Sequence, residues 1–230
     1  MNKPLNDLNA LNHLNETYSL ICNENQFFVP LIYKSDLNPS AKIGVWYITE
    51  KEEYFLQKVP LQREITHWHK RLQHLAGRML LKELFPDFPV ELILVATTRK
   101  PYLAADPFHF SISHCGDYVA VIVSRYKRVG VDIELIKGKA LALMNKFLTD
   151  EEILHLNAEN NKEVATLCWC VKESIFKWQG KGGVDFRGDI DIHKITGENE
   201  GIAKCQFRGV PLEVQFLRFN DNFLCWIVTG

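Results

Sequence analysis

Tyr118-Val-Ala-Val-Ile-Val-Ser124, Arg125-Tyr-Lys-Arg128 and Val129-Gly-Val-Asp-Ile-Glu-Leu135 follow one another without a gap. The first is a near-continuous apolar run, the pattern of a strand buried on both faces. The second is a short basic break. The third is another strand, in which side chains two apart share a face. Asp132 and Glu134 therefore project together, while Val131 and Ile133 go to the other side. Two adjacent carboxylates repel unless a cation lies between them. Oxygen ligands suit Mg²⁺, which takes one or two carboxylates and completes its shell with phosphates and water. The plainer alternative is an edge strand with its acidic face in water.

Upstream, Lys42 to Thr49 reads as a strand rich in β-branched and aromatic residues. A helix is predicted from about Arg63 to Leu84, with Ile65, Trp68, Leu72, Leu75, Met79 and Leu80 at 3–4 spacing and Arg71, His74 and Arg78 on another side. Pro86 and Pro89 end it. Leu92 to Ala96 is a short apolar strand. Phe108, Phe110 and Ile112 alternate as in a half-buried strand. Downstream, Thr149 and Glu152 form a capping box that opens a helix ending near Asn157. A second helix spans about Glu163 to Gln179 and stops at Gly180. The last fifty or so residues read as strands: DIDIHKI, AKCQFRG, LEVQFLRF and FLCWIVT. Helices in the middle with strands around them predict an α+β fold.

The chain has 230 residues, enough for one large domain or two small ones. Apolar residues are 47% and charged residues 24%, ordinary for a globular protein. A net charge of -1 gives no global argument for nucleic acid, whose phosphates demand a basic surface. No apolar stretch is long enough for a transmembrane helix. Residues 1–16, MNKPLNDLNALNHLNE, alternate Leu with Asn and lack the apolar core of a signal peptide, so they read as a polar, frayed leader. The expectation is a cytoplasmic protein. Cys22, Cys115, Cys168, Cys170, Cys205 and Cys225 are scattered with no C-x-x-C pair, and read as reduced thiols, mostly buried.

Two further segments carry polar groups in a suggestive pattern. In Trp169-Cys-Val-Lys-Glu-Ser-Ile-Phe-Lys-Trp178, the residues Leu167, Val171, Ile175 and Trp178 make an apolar stripe. Glu173 and Lys177 are i and i+4 on a face away from it. An ordinary surface salt bridge explains such a pair alone. Phe110-Ser-Ile-Ser-His114, preceded by Arg99-Lys-Pro101, gathers hydroxyls, an imidazole and cations near a strand end. Such donors fit a phosphate, and a polar turn is the plainer account.

In this order and spacing, RKPYL, FSISH, GVDIE and WCVKESIFK resemble the signature of the Sfp-type 4'-phosphopantetheinyl transferases: a G-K-P-like element, F-x-I-S-H-S, G-[IV]-D-[IV]-E and W-x-x-K-E-[AS]-x-x-K. LAGRMLLKEL, from Leu75 to Leu84, is similar to the family's upstream helix. The resemblance runs from about Arg63 to Gly183. Arg99 stands where the family has Gly, and Cys115 where it has the final Ser of S-H-S. The resemblance implies two similar α/β halves forming a pseudo-dimer, 1–126 and 127–230, with the active site in the cleft between them. It implies transfer of 4'-phosphopantetheine from coenzyme A to a serine of an acyl, peptidyl or polyketide carrier protein, with release of 3',5'-ADP. That is Mg²⁺-dependent holo-[acyl-carrier-protein] synthase activity. Asp132, Glu134 and Glu173 become the metal ligands. Glu173 is the candidate base, and Lys177 the group that stabilises or protonates the leaving phosphate. Arg71, Arg78, Lys100, Ser113, His114 and Lys172 become contacts to coenzyme A, with His114 as a cation on its 3'-phosphate. Two halves in one chain make a monomer sufficient.

Two other classes compete. A Cys-His hydrolase could use His114 and Cys115, but neighbours on a strand point to opposite faces. A non-catalytic carrier-binding module would not need the intact acidic and KESIFK segments.

Overall fold

The computed structural model describes residues 30–98, 100–104 and 108–229. The predicted leader, Cys22 and Arg99 lie outside these. Two antiparallel sheets form the frame. The first contains β1 (Leu31–Asn38), β2 (Ala41–Tyr47), β5 (His109–Cys115) and β6 (Tyr118–Ser124), in the order β1-β2-β6-β5. The second contains β7 (Arg128–Leu135), β8 (Ile190–Gly197), β9 (Glu200–Phe207), β10 (Val210–Phe219) and β11 (Asn222–Thr229), in the order β7-β11-β10-β9-β8. A two-stranded ribbon, β3 (Leu94–Val95) with β4 (Pro101–Tyr102), stands beside the first sheet. The basic break falls between β6 and β7, where the chain leaves one sheet for the other.

Among the described residues, five helices accompany the sheets: α1 (Glu52–Leu56), α2 (Trp68–Leu84), α3 (Gly138–Leu143), α4 (Asp150–His155) and α5 (Lys162–Gln179). Helix α2 begins later than its apolar spacing suggests, because the His67 side chain accepts from the Lys70 backbone N–H and caps it there. Trp68, expected in the apolar stripe, is 63% exposed. Leu75, Ala76, Met79 and Leu80 do pack on Trp46, Val119, Val121 and Val123 of the first sheet. Fully burying each large side chain stabilises by about 1.5–3 kcal/mol. The Thr149–Glu152 capping box forms at α4, and Gly180 ends α5 with φ 72.

The opposite faces of the two sheets meet. Ile43, Val45, Ala120 and Ile122 share one apolar cluster with Val129, Val131, Ile133, Leu224 and Trp226. This explains why β6 is apolar throughout: α2 covers one face and the second sheet the other. It also corrects the half-buried reading of β5, in which Ser111 and Ser113 are buried as well as Phe110. Those serines face β7, the edge strand of the second sheet. Ser111 Oγ accepts from Val131 N at 3.2 Å, Ser113 Oγ from Ile133 N at 3.3 Å, and Cys115 Sγ from Leu135 N at 3.3 Å. Side chains at period two thus satisfy the edge amides that no strand pairs.

Candidate active site

Helix α5 lies across β7 at Gly130. A Cβ there would meet the Ser174 carbonyl oxygen at 2.1 Å and the Trp178 nitrogen at 2.7 Å. The glycine lets helix backbone approach strand backbone, and so brings the carboxylates of β7 under Glu173 and Lys177. Lys177 Nζ lies 2.5 Å from Asp132 Oδ1 and 2.8 Å from Ser113 Oγ. Its ion pair is with Asp132, not with Glu173 one turn back, so the helical salt-bridge account fails. Burial works against the Lys177 ammonium, but Asp132 and Glu173 outweigh it and raise the pKa. Glu134 Oε1 accepts from Trp169 Nε1 at 3.2 Å.

The acidic groups are held against their charge. Burial, then Asp132, raises the Glu173 pKa to about 7. Burial and Asp132 also raise that of Glu134. Asp132 is 2% exposed, and its Oδ2 has no hydrogen-bond partner among the described residues. An all-oxygen set with mutual repulsion and an orphaned buried oxygen fits Mg²⁺. Among the described residues, no three acidic, His or Cys groups are gathered closely enough to surround an ion by themselves.

The expected coenzyme A contacts divide. Arg78 is 5% exposed, with its Nε unpartnered, and burial and Arg63 lower its pKa to about 10. His74, one turn earlier, has an unpartnered Nε2, and burial with Arg78 and Arg63 lowers its pKa to about 4. The pair lacks an anion among the described residues. Gly77, between them, packs against Ile112 of β5. Lys100 Nζ donates to the Lys177 carbonyl at 2.6 Å, capping α5. It also lines a cleft of about 190 Å³ with Pro101, Phe110, Ile112, Phe176 and Gly180.

Two expectations need correction. Lys172 is fully buried; its ammonium donates to Glu152 and to the carbonyls of Phe147, Phe186 and Ile190. Successive helical residues are about 100° apart, so Lys172 turns into the core while Glu173 meets β7. Arg71 is held by Glu52 Oε1 at 2.7 Å and by the Ile65 carbonyl, and ties α2 to α1. At His114 partial burial and then the Lys177 ammonium lower the pKa, which an arriving phosphate would oppose. Burial likewise raises the Cys115 thiol, whose sulfur already accepts from Leu135 N, which disfavours a Cys-His nucleophile.

Sequence reasoning named Gly130, His74 and Trp169 but gave them no role of their own. Signals existed for each: a glycine inside a strand, a histidine at i−4 from a buried arginine, and a tryptophan at i−4 from Glu173.

A family model described as the 4'-phosphopantetheinyl transferase superfamily matches residues 128–215. The 4'-phosphopantetheinyl transferase AcpT of Salmonella typhimurium is 30% identical over 150 residues, 63% of this chain and 76% of that protein. The chain belongs to this superfamily. The 4'-phosphopantetheinyl transferase psf-1 of Bacillus pumilus is 34% identical over 117 residues, 47% of this chain and 50% of that relative. The L-aminoadipate-semialdehyde dehydrogenase-phosphopantetheinyl transferase of Xenopus laevis is 30% identical over 154 residues, 56% of this chain and 51% of its own length. The matches thus span about half of two of these relatives and three quarters of the third. The superfamily match begins at Arg128, the first residue of β7, and takes in Asp132, Glu134, Glu173 and Lys177.

Proposed function

We propose that this chain transfers 4'-phosphopantetheine from coenzyme A to a serine of an acyl, peptidyl or polyketide carrier protein, releasing 3',5'-ADP. The observation that carries the reading is the pairing of two incomplete charge clusters. Asp132, Glu134 and Glu173 share only the Lys177 ammonium, and the buried Arg78 guanidinium, beside an uncharged His74, has no anion among the described residues. Coenzyme A in complex with Mg²⁺ supplies both. The apolar cleft beside Lys100 and Pro101 suits its adenine. Asp132, Glu134 and Glu173 would hold Mg²⁺, which neutralises charge on the leaving phosphate when bound.

The carrier serine Oγ bonds to the β-phosphorus as the bridging P–O bond of the pyrophosphate breaks. Glu173 accepts the serine proton, directly or through water. Metal ligation would lower its basicity, so its two roles compete. Lys177, kept protonated by Asp132, stabilises the leaving 3',5'-ADP. His114 gains its proton as the 3'-phosphate arrives.

Two similar halves, 1–126 and 127–230, are part of this reading. In each sheet an early strand, β2 or β7, pairs with the last, β6 or β11, which pairs with the one before it, β5 or β10. A helix, α2 or α5, lies between them in the chain. No helix of the described residues is long and apolar enough to cross a membrane. A cytoplasmic monomer accords with the reading.

Mass spectrometry tests it. Apo-acyl, apo-peptidyl and apo-polyketide carriers are incubated with the protein, coenzyme A and Mg²⁺. At least one should gain one phosphopantetheine mass, and the order of rates ranks the partners. Coenzyme A binding without any gain would leave the carrier-binding module.

A further inference from the structure

Ser113 was expected on a phosphate of coenzyme A, yet its hydroxyl has no capacity left for one. A serine hydroxyl offers one donor and two acceptor sites. Ser113 Oγ donates to Asp132 Oδ1 at 2.7 Å. It accepts from Lys177 Nζ at 2.8 Å and from Ile133 N at 3.3 Å. The residue is 5% exposed. Its partners belong to the second sheet and to α5, whereas Ser113 belongs to the first sheet. Ser111 and Cys115, the rungs on either side, bond neighbouring β7 amides but touch neither Asp132 nor Lys177. Cys115 reaches Glu134 Oε2 only by a long thiol contact of 3.9 Å, so among the three rungs Ser113 is the one that holds Asp132 and Lys177.

We infer that Ser113 is a positioning residue of the transfer reaction proposed above, on which this role rests. Its hydroxyl locks Asp132 Oδ1 and the Lys177 ammonium to the edge of β7, which leaves Asp132 Oδ2 as the oxygen free to act. Loss of the hydroxyl frees the carboxylate to rotate and strips a buried amide of its acceptor.

Three measurements on the full chain test this. Amide hydrogen exchange requires no substrate. Ser113→Ala should speed exchange at Ile133 by about tenfold or more, while Val131, held by Ser111, keeps its rate. Ser113→Thr should restore protection. An unchanged rate at Ile133 overturns the junction. Calorimetry should give coenzyme A affinity within about twofold of wild type for Ser113→Ala, since no ligand contact is lost. A larger loss for coenzyme A than for dephospho-coenzyme A makes Ser113 a phosphate ligand and overturns the assignment. At saturating coenzyme A, Ser113→Ala should lower kcat by about tenfold or more with KM unchanged, and Ser113→Thr should recover it. Wild-type kcat per folded molecule makes the serine merely structural and overturns its role. Should Ser113→Ala not fold, Ser113→Cys, with a weaker donor, gives the same three readings. If the wild type modifies no carrier, the reaction and the positioning role fall together, and exchange at Ile133 still decides the junction.

Discussion

Glu173 shows what one position decides in this site. Its carboxyl is half-buried beside Asp132, and burial, then that neighbour, raises its pKa from 4.5 to about 7. A carboxylate raised in the folded state holds its proton more tightly there than in the unfolded chain. Below the unfolded value the two states are equally protonated and the group contributes nothing. Stability then falls as pH rises from 4.5 through 7, by on the order of 3 kcal/mol once both states are ionised. In the presence of chelator, Glu173→Gln should therefore be more stable than wild type at pH 8 and close to it at pH 4.5. Denaturant unfolding at the two pH values checks this, and an equal difference at both would remove the strain from the carboxyl. The same variant should lose about 10²-fold or more in kcat. Lys172, its neighbour, makes the opposite case. Both are charged residues of one motif, and only the outside partners, Glu152 and three carbonyls, show that Lys172 serves the core.

At the scale of elements, the proposed site is the contact of α5 with β7. Most of that contact was legible locally. Alternation put Asp132 and Glu134 on one face, the i, i+4 spacing put Glu173 and Lys177 on another, and Gly180 marked the helix end. The glycine at 130 had no local explanation, because its reason lies 44 residues downstream at the Ser174 carbonyl. Gly130→Ala should push α5 off the strand. Overpacking of this kind typically costs about 1–3 kcal/mol. Because the colliding atoms are backbone, kcat should fall as well as the melting temperature. A variant that loses stability but keeps wild-type kcat would separate this approach from the geometry of Asp132 and Lys177. The serine rungs were equally illegible. Ser111 and Ser113 look like the polar face of a half-buried strand until β7 is seen against them.

For the whole molecule, the groups short of counter-charge belong to different sheets: Arg78 on the helix of the first, and the carboxylates, which share one ammonium, on and against the second. A ligand that satisfies both should couple the two. At a hundredfold excess over its dissociation constant, a ligand adds about 2.7 kcal/mol. For a chain of this size that is a rise of roughly 5–11 °C in melting temperature. Coenzyme A with Mg²⁺ should produce that rise in a single transition. Coenzyme A with chelator should give less, and Arg78→Met should abolish most of it. Two separated transitions, or a shift indifferent to Mg²⁺, would break the link between the clusters.

What the sequence by itself determined is what local physics encodes. The strand alternation of GVDIE, the capping box at Thr149, the helix stop at Gly180 and the order of four motifs were enough to indicate the superfamily and name Asp132, Glu134, Glu173 and Lys177. The tertiary structure alone decided which polar residues are available. Lys172 went to Glu152, Arg71 to Glu52, and Ser113 to Asp132, Lys177 and the Ile133 amide. A side chain's direction follows from its own backbone, but its partner comes from whatever distant segment packs against it. Burial then sets how much an unpaired charge or hydroxyl costs, and hence which pairings the fold keeps.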